Sequence, residues 1–153
     1  MSFDQPSLKG RALRLLSGRE HSRAELERKL ASFEEEPGTL ARALDELQAK
    51  GFINEQRVIE SVVHRRAGKL GTARIKQELQ GKGLDPGAVT QALQGLQATE
   101  RERALEVWRK KFGVPPEDAQ AAAKQMRFLA SRGFGADAIR RVVAGADRLT
   151  DED

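Results

Sequence analysis

The sequence predicts an all-α protein: three tandem three-helix repeats forming an elongated, curved array. Three observations carry that expectation. Apolar residues recur at three- and four-residue intervals, the period of a helix, and no segment alternates over a strand's length. The pattern then repeats. Displaced by 49 positions, Leu26, Leu30, Leu40, Leu44 and Leu47 fall on Ile75, Leu79, Val89, Leu93 and Leu96. Displaced by 50, Leu79, Gly83, Leu84, Val89 and Leu93 fall on Leu129, Gly133, Phe134, Ile139 and Val143, and Lys82 falls on Arg132. Turn residues repeat with the core, since Glu36-Pro37-Gly38 falls on Asp85-Pro86-Gly87.

The first unit spans residues 7–53. Ala12, Leu13, Leu15 and Leu16 open its first helix. Ser22-Arg23-Ala24-Glu25 has capping-box spacing and starts the second, with Leu26, Leu30 and Phe33 on the inner face. The third starts near Pro37, whose fixed φ suits a first helical position. Gly51 closes it, because glycine accepts the left-handed conformation of a C-terminal cap. The second unit spans 54–98. Val58, Ile59, Val62 and Val63 form its first stripe, Gly68 and Gly71 flank the next break, and Asp85-Pro86 caps its last helix. The third unit spans 99–149. Leu105, Trp108 and Phe112 lead it, Pro115-Pro116 sets a boundary, and Gly133 and Gly135 bracket Phe134 before the last helix. The tail Asp151-Glu152-Asp153 is expected to fray. Three helices in fewer than fifty residues bury a narrow core, so each unit gains by stacking on its neighbour.

The 153 residues are 39% hydrophobic and 33% charged, too apolar for a disordered chain. No apolar run is long enough to span a membrane, and Met1 to Lys9 lacks the apolar centre of a signal peptide. Cysteine is absent, which removes disulfides, thiolate metal sites and cysteine nucleophiles, and fits a reducing compartment. His21 and His64 have no ligand partner at zinc spacing. There is no nucleophile elbow, phosphate loop or dinucleotide fingerprint. Glu34-Glu35-Glu36 reads as a helix end and loop, and Trp108 as core rather than a stacking platform. The chain is therefore expected to have no enzymatic activity, cofactor or metal.

What remains is charge. The net charge is +4. Between Asn54 and Lys82 there are seven bases against three acids. The candidate partner-binding residues are Arg65, Arg66, Lys69, Arg74, Lys76 and Lys82 in the second unit, and Lys110, Lys111, Arg127, Arg132, Arg140 and Arg141 in the third. Arg65 and Lys69 are one helical turn apart and share a face near a helix end, where cations complement the dipole. A solvated face with intrahelical ion pairs would use many of these residues but leaves the excess of bases unexplained. An elongated basic surface suits a polyanion or an acidic protein groove, with contact that weakens in salt.

Several segments, in order, carry a resemblance. They are Ser22 to Leu30, Gly51-Phe52-Ile53-Asn54-Glu55, Arg65-Arg66, Lys69 to Leu84, Lys110-Lys111-Phe112, and Leu129 to Phe134. Together they resemble the RecX family over nearly the whole chain. Glu55 and Val58-Ile59 depart from the aspartate and Phe-Ala pair that the family often places there. The resemblance implies a cytoplasmic bacterial regulator, and the chain is expected to be a monomer. Such a protein would bind the RecA–single-stranded DNA filament and mainly inhibit the recombinase, ATPase and coprotease activities of RecA, in homologous recombination, DNA repair and the SOS response. Two other readings stand beside it: a free-standing DNA-binding helical protein, and a generic helical-repeat scaffold for a protein partner.

Overall fold

The structure, a computed structural model, describes residues 5–145. The tail from Asp151 to Asp153, the end of the third unit at 149 and the start of the chain through Asp4 lie outside the described residues. Within them the chain is helical throughout, with no strand. Helices α1 (Leu8–Gly18), α2 (Arg23–Leu30) and α3 (Thr39–Ala49) form the first unit. Helices α4 (Glu55–Arg66), α5 (Thr72–Gly81) and α6 (Pro86–Ala98) form the second, and α7 (Glu100–Lys111), α8 (Ala119–Ser131) and α9 (Ala136–Ala144) the third. Each unit has its own core. Leu26, Leu30, Leu40, Leu44 and Leu47 fill the first, while Ile75, Leu79, Val89 and Leu96 fill the same places in the second. Leu129, Phe134, Ile139 and Val143 repeat the arrangement in the third. Trp108 is core, 2% exposed, and donates from Nε1 to Gln125 Oε1 at 2.8 Å.

Local chemistry sets the helix starts. Ser22 and Glu25 form the reciprocal capping box. Asp85 Oδ2 accepts from Ala88 N with Pro86 in the first turn of α6. Two expectations need correction. Pro37 does not begin α3. Gly38 takes a left-handed conformation (φ 89°) and the helix starts at Thr39, leaving Pro37 in the turn. Phe33 does not line the inner face of α2. The helix ends at Leu30 and tightens into a 3-10 turn, Ala31–Phe33, which turns the ring outward to 46% exposure beneath the Arg11 guanidinium.

The units meet in sequence order through two joints. At the first, Ser22 Oγ donates to Lys82 O at 2.6 Å, and Arg28 donates to Gly81 O at 3.0 Å. Glu25 sits buried between Arg19 (2.7 Å) and Lys82 (3.0 Å) and also accepts from Ser22 N. Burial alone would push its carboxyl up. The hydrogen bonds from Arg19, Ser22 N and Lys82 outweigh that and hold it down at about 2. Arg57 reaches back to Glu20 at 2.9 Å.

At the second joint, Gly71 N donates to Arg132 O at 2.7 Å and Ala73 N to Gly133 O at 3.3 Å. Thr72 N donates to the buried Glu100 Oε1 at 2.8 Å. Gly71 is required there, because a Cβ would run into the Gly133 carbonyl. Arg103 completes the joint. Its guanidinium donates to Ala67 O (3.0 Å), Leu70 O (2.6 Å), Thr72 Oγ1 (3.2 Å) and Leu96 O (2.9 Å). Burial lowers the pKa of this arginine, with Glu100 opposing the shift.

Candidate functional site

A cleft of about 520 Å³ opens at the second joint, between the α4–α5 turn and the outer sides of α7 and α8. Five residues singled out from the sequence line it: Arg66, Lys69, Lys110, Lys111 and Arg132. Leu70, Val107 and Phe128 supply its apolar surface, and no carboxylate is among its lining residues. Phe128 is half-buried and meets the edge of Phe112 at 5.5 Å between centroids and 88° between planes. Arg132 lies over the Phe128 ring at 4.8 Å and Lys111 at 5.3 Å.

The cations reach this cleft for local reasons. Lys69 stands in the turn after α4, whose closing bonds run from Lys69 N and Leu70 N to Arg66 O. Lys110 and Lys111 end α7, where they complement its dipole. Arg132 follows α8 one helical turn beyond Phe128. Arg66 is tethered to Glu78 at 3.2 Å, whereas Lys69, Lys110 and Lys111 form no salt bridge among the described residues. The arrangement concentrates positive charge around an aromatic floor, a combination suited to an anionic, partly planar ligand.

The remaining candidates lie elsewhere. Arg65 is exposed on α4 but does not line the cleft. Arg74 is a strut of the second joint, donating to Ser131 O at 2.7 Å. Lys76 edges a second, larger groove of about 850 Å³ beside Leu84, Val89 and Leu93. Arg127 is exposed on α8. Arg140 and Arg141 both lie beside Asp137, at 3.8 and 3.4 Å. Lys82 is committed to Glu25 with its side chain only 12% exposed, so its charge is spent inside the protein. Of the histidines, His64 is exposed and His21 buried. Burial lowers the pKa of His21, while the Arg19 carbonyl opposes the shift. No cluster of three metal-ligating side chains occurs among the described residues, and no helix among them is long and apolar enough to cross a membrane.

Phe128 was not among the residues singled out from the sequence. The available signal was its position within Arg127-Phe128 and four residues before Arg132, an aromatic interleaved with bases.

A row of three-helix units with a basic cleft at one joint defines a helical-repeat protein. Comparison with known proteins makes that specific. Family models described as the first, second and third three-helix domains of RecX match residues 9–47, 54–93 and 99–143. Regulatory protein RecX of Leptothrix cholodnii is 55% identical over 149 residues, covering 97% of this chain and 95% of that protein. Regulatory protein RecX of Ralstonia nicotianae is 47% identical, covering 95% and 92%. The crystal structure of RecX from Lactobacillus salivarius shares the fold, with a TM-score of 0.74 at 24% identity over 92% of this chain and 95% of that one. The chain belongs to the RecX family of regulatory proteins, which is not an enzyme family.

Proposed function

We propose that this chain binds the RecA–single-stranded DNA filament and restrains RecA, lowering strand exchange, ATP hydrolysis and coprotease activity. The observation that carries the reading is the convergence of Arg66, Lys69, Lys110, Lys111 and Arg132 on one cleft lined by no carboxylate. Family membership supports it, because the relatives are regulatory proteins and the RecX resemblance implies RecA as the partner. In this reading the protein is a cytoplasmic monomer of units 7–53, 54–98 and 99–149, serving recombination, DNA repair and the SOS response. The cleft faces the DNA of the filament, and the row of units follows its groove.

The test is RecA-driven strand exchange and ATP hydrolysis at low salt with the purified protein added. Both should slow in proportion to the protein, and the effect should weaken as salt rises. Reversing Lys69, Lys110 and Lys111 to glutamate should abolish most of the inhibition with helix content unchanged. A folded wild-type protein that leaves both rates untouched refutes the reading. Tight, sequence-selective binding to duplex without RecA would instead favour a free-standing DNA-binding protein.

A further inference from the structure

We propose that the cleft at the second joint takes an unpaired nucleobase on Phe128, so that this chain distinguishes single strands from duplex by stacking and not by charge alone. The inference deepens the reading above and rests on its placement of nucleic acid in the cleft.

A site for phosphates alone needs cations and water. This one also carries an apolar floor of Leu70, Val107 and Phe128 at the centre of its cations. Half-burial and the edge contact with Phe112 fix the Phe128 ring in place, so little side-chain freedom is lost when a planar group lies on it. The groups now over the ring, Arg132 and Lys111, end long exposed side chains. Each can turn onto a phosphate while a base takes its place, and the guanidinium can also stack on the base itself. A base held in a duplex presents only its edge to such a cleft, so the ring rewards unpaired strands.

An acidic peptide is the competing occupant, and the backbone argues against it. Peptides are recognised largely through main-chain hydrogen bonds. Here Ala67 O and Leu70 O accept from Arg103, Arg66 O accepts from Lys69 N and Leu70 N, and Arg132 O accepts from Gly71 N. Three of the main-chain acceptors that line the cleft, on Arg66, Leu70 and Arg132, are thus already engaged. The cations and the ring are left as its recognition groups.

Fluorescence anisotropy with the full chain tests this, using a short oligothymidylate and an abasic strand of equal length and charge. The wild-type protein should bind the thymidylate on the order of tenfold tighter than the abasic strand. Phe128→Leu should keep the abasic affinity and lose that preference, whereas Phe128→Trp should retain it. Circular dichroism confirms that each variant is folded, and if Phe128→Leu is not, the Trp variant and the wild-type ratio still decide. Equal binding of both strands by the wild type overturns the proposal, as does an unchanged ratio in Phe128→Leu. So does polyglutamate of matched charge that displaces the thymidylate as well as unlabelled thymidylate does. The Lys69, Lys110 and Lys111 reversal separates the two readings. If it binds both strands as wild type does, nucleic acid does not occupy the cleft and both fall. If it loses both strands while the wild type shows no base preference, only the stacking falls.

Discussion

The two joints occupy the same positions of the repeat and are built from different chemistry. Ser22 and Gly71 correspond under the 49-residue displacement, and Lys82 and Arg132 under the 50-residue one. At the first joint the serine hydroxyl bridges to Lys82 O. At the second, glycine has no side chain, so its own backbone N–H makes the bond to Arg132 O, and the two units close main chain to main chain. The charges are exchanged as well. Glu20 and Glu25 of the first joint correspond to Lys69 and Arg74 of the second. Lys82 is therefore neutralised by Glu25, while Arg132 has Arg74 where that acid would be and lies over Phe128 instead. The comparison ties the difference in charge between the two joints to two repeat positions that change sign, of which Lys69 lines the cleft.

Substitutions can break this contrast. The largest effect is expected from Gly71→Ala, because the new methyl would meet Gly133 C and O and Phe134 N. The units must part to admit it, which should cost about 3 kcal/mol in thermal unfolding. Gly68→Ala, three residues away with nothing near its Cβ, is the control and should leave stability unchanged. Next comes Glu25→Gln. It leaves Lys82 unpaired at 12% exposure and should cost about 2 kcal/mol. Native-state hydrogen exchange should show the loss in α1–α3 first, with the second joint still protected.

Acid should act on the same joint. The folded pKa of Glu25 lies at about 2, below the ordinary 4.5. The unfolded chain therefore binds this proton first, and the stabilisation present above pH 4.5 is lost as pH falls from about 4.5 to about 2. Urea titrations across that window should show a slope that Glu25→Gln flattens. If the variant keeps the full slope, Glu25 is not the titrating group. The smallest effect is expected from Arg57→Ala, whose partner Glu20 is solvent-accessible. It should cost about 0.5 kcal/mol, and less in high salt.

How much of this was legible beforehand follows the range of each interaction. The caps at Ser22 and Asp85 are local, and a few residues specify them. The three cores follow from periodicity, because matched positions fill matched places. Phe33 was misleading because helical spacing continues past Leu30 in the sequence while the backbone tightens there. Lys82 looked like surface charge because its partner lies 57 residues away, where the capping-box role of Glu25 conceals a second role in the joint. The cleft itself assembles residues from the α4–α5 turn, α7 and α8 that no single periodicity connects, so only the basic excess announced it. Phe128 was hidden for the same reason, since its significance comes from Lys69 and Leu70 across the joint.

The closeness of Gly71 to Gly133 has one more consequence. Both walls of the cleft are anchored to that seam, Lys69 and Leu70 on one side, Phe128 and Arg132 on the other. None of the residues that join the first and second units lines the cleft. For the strand proposed above, the walls stand in place before binding, and only the Lys111 and Arg132 side chains need turn aside.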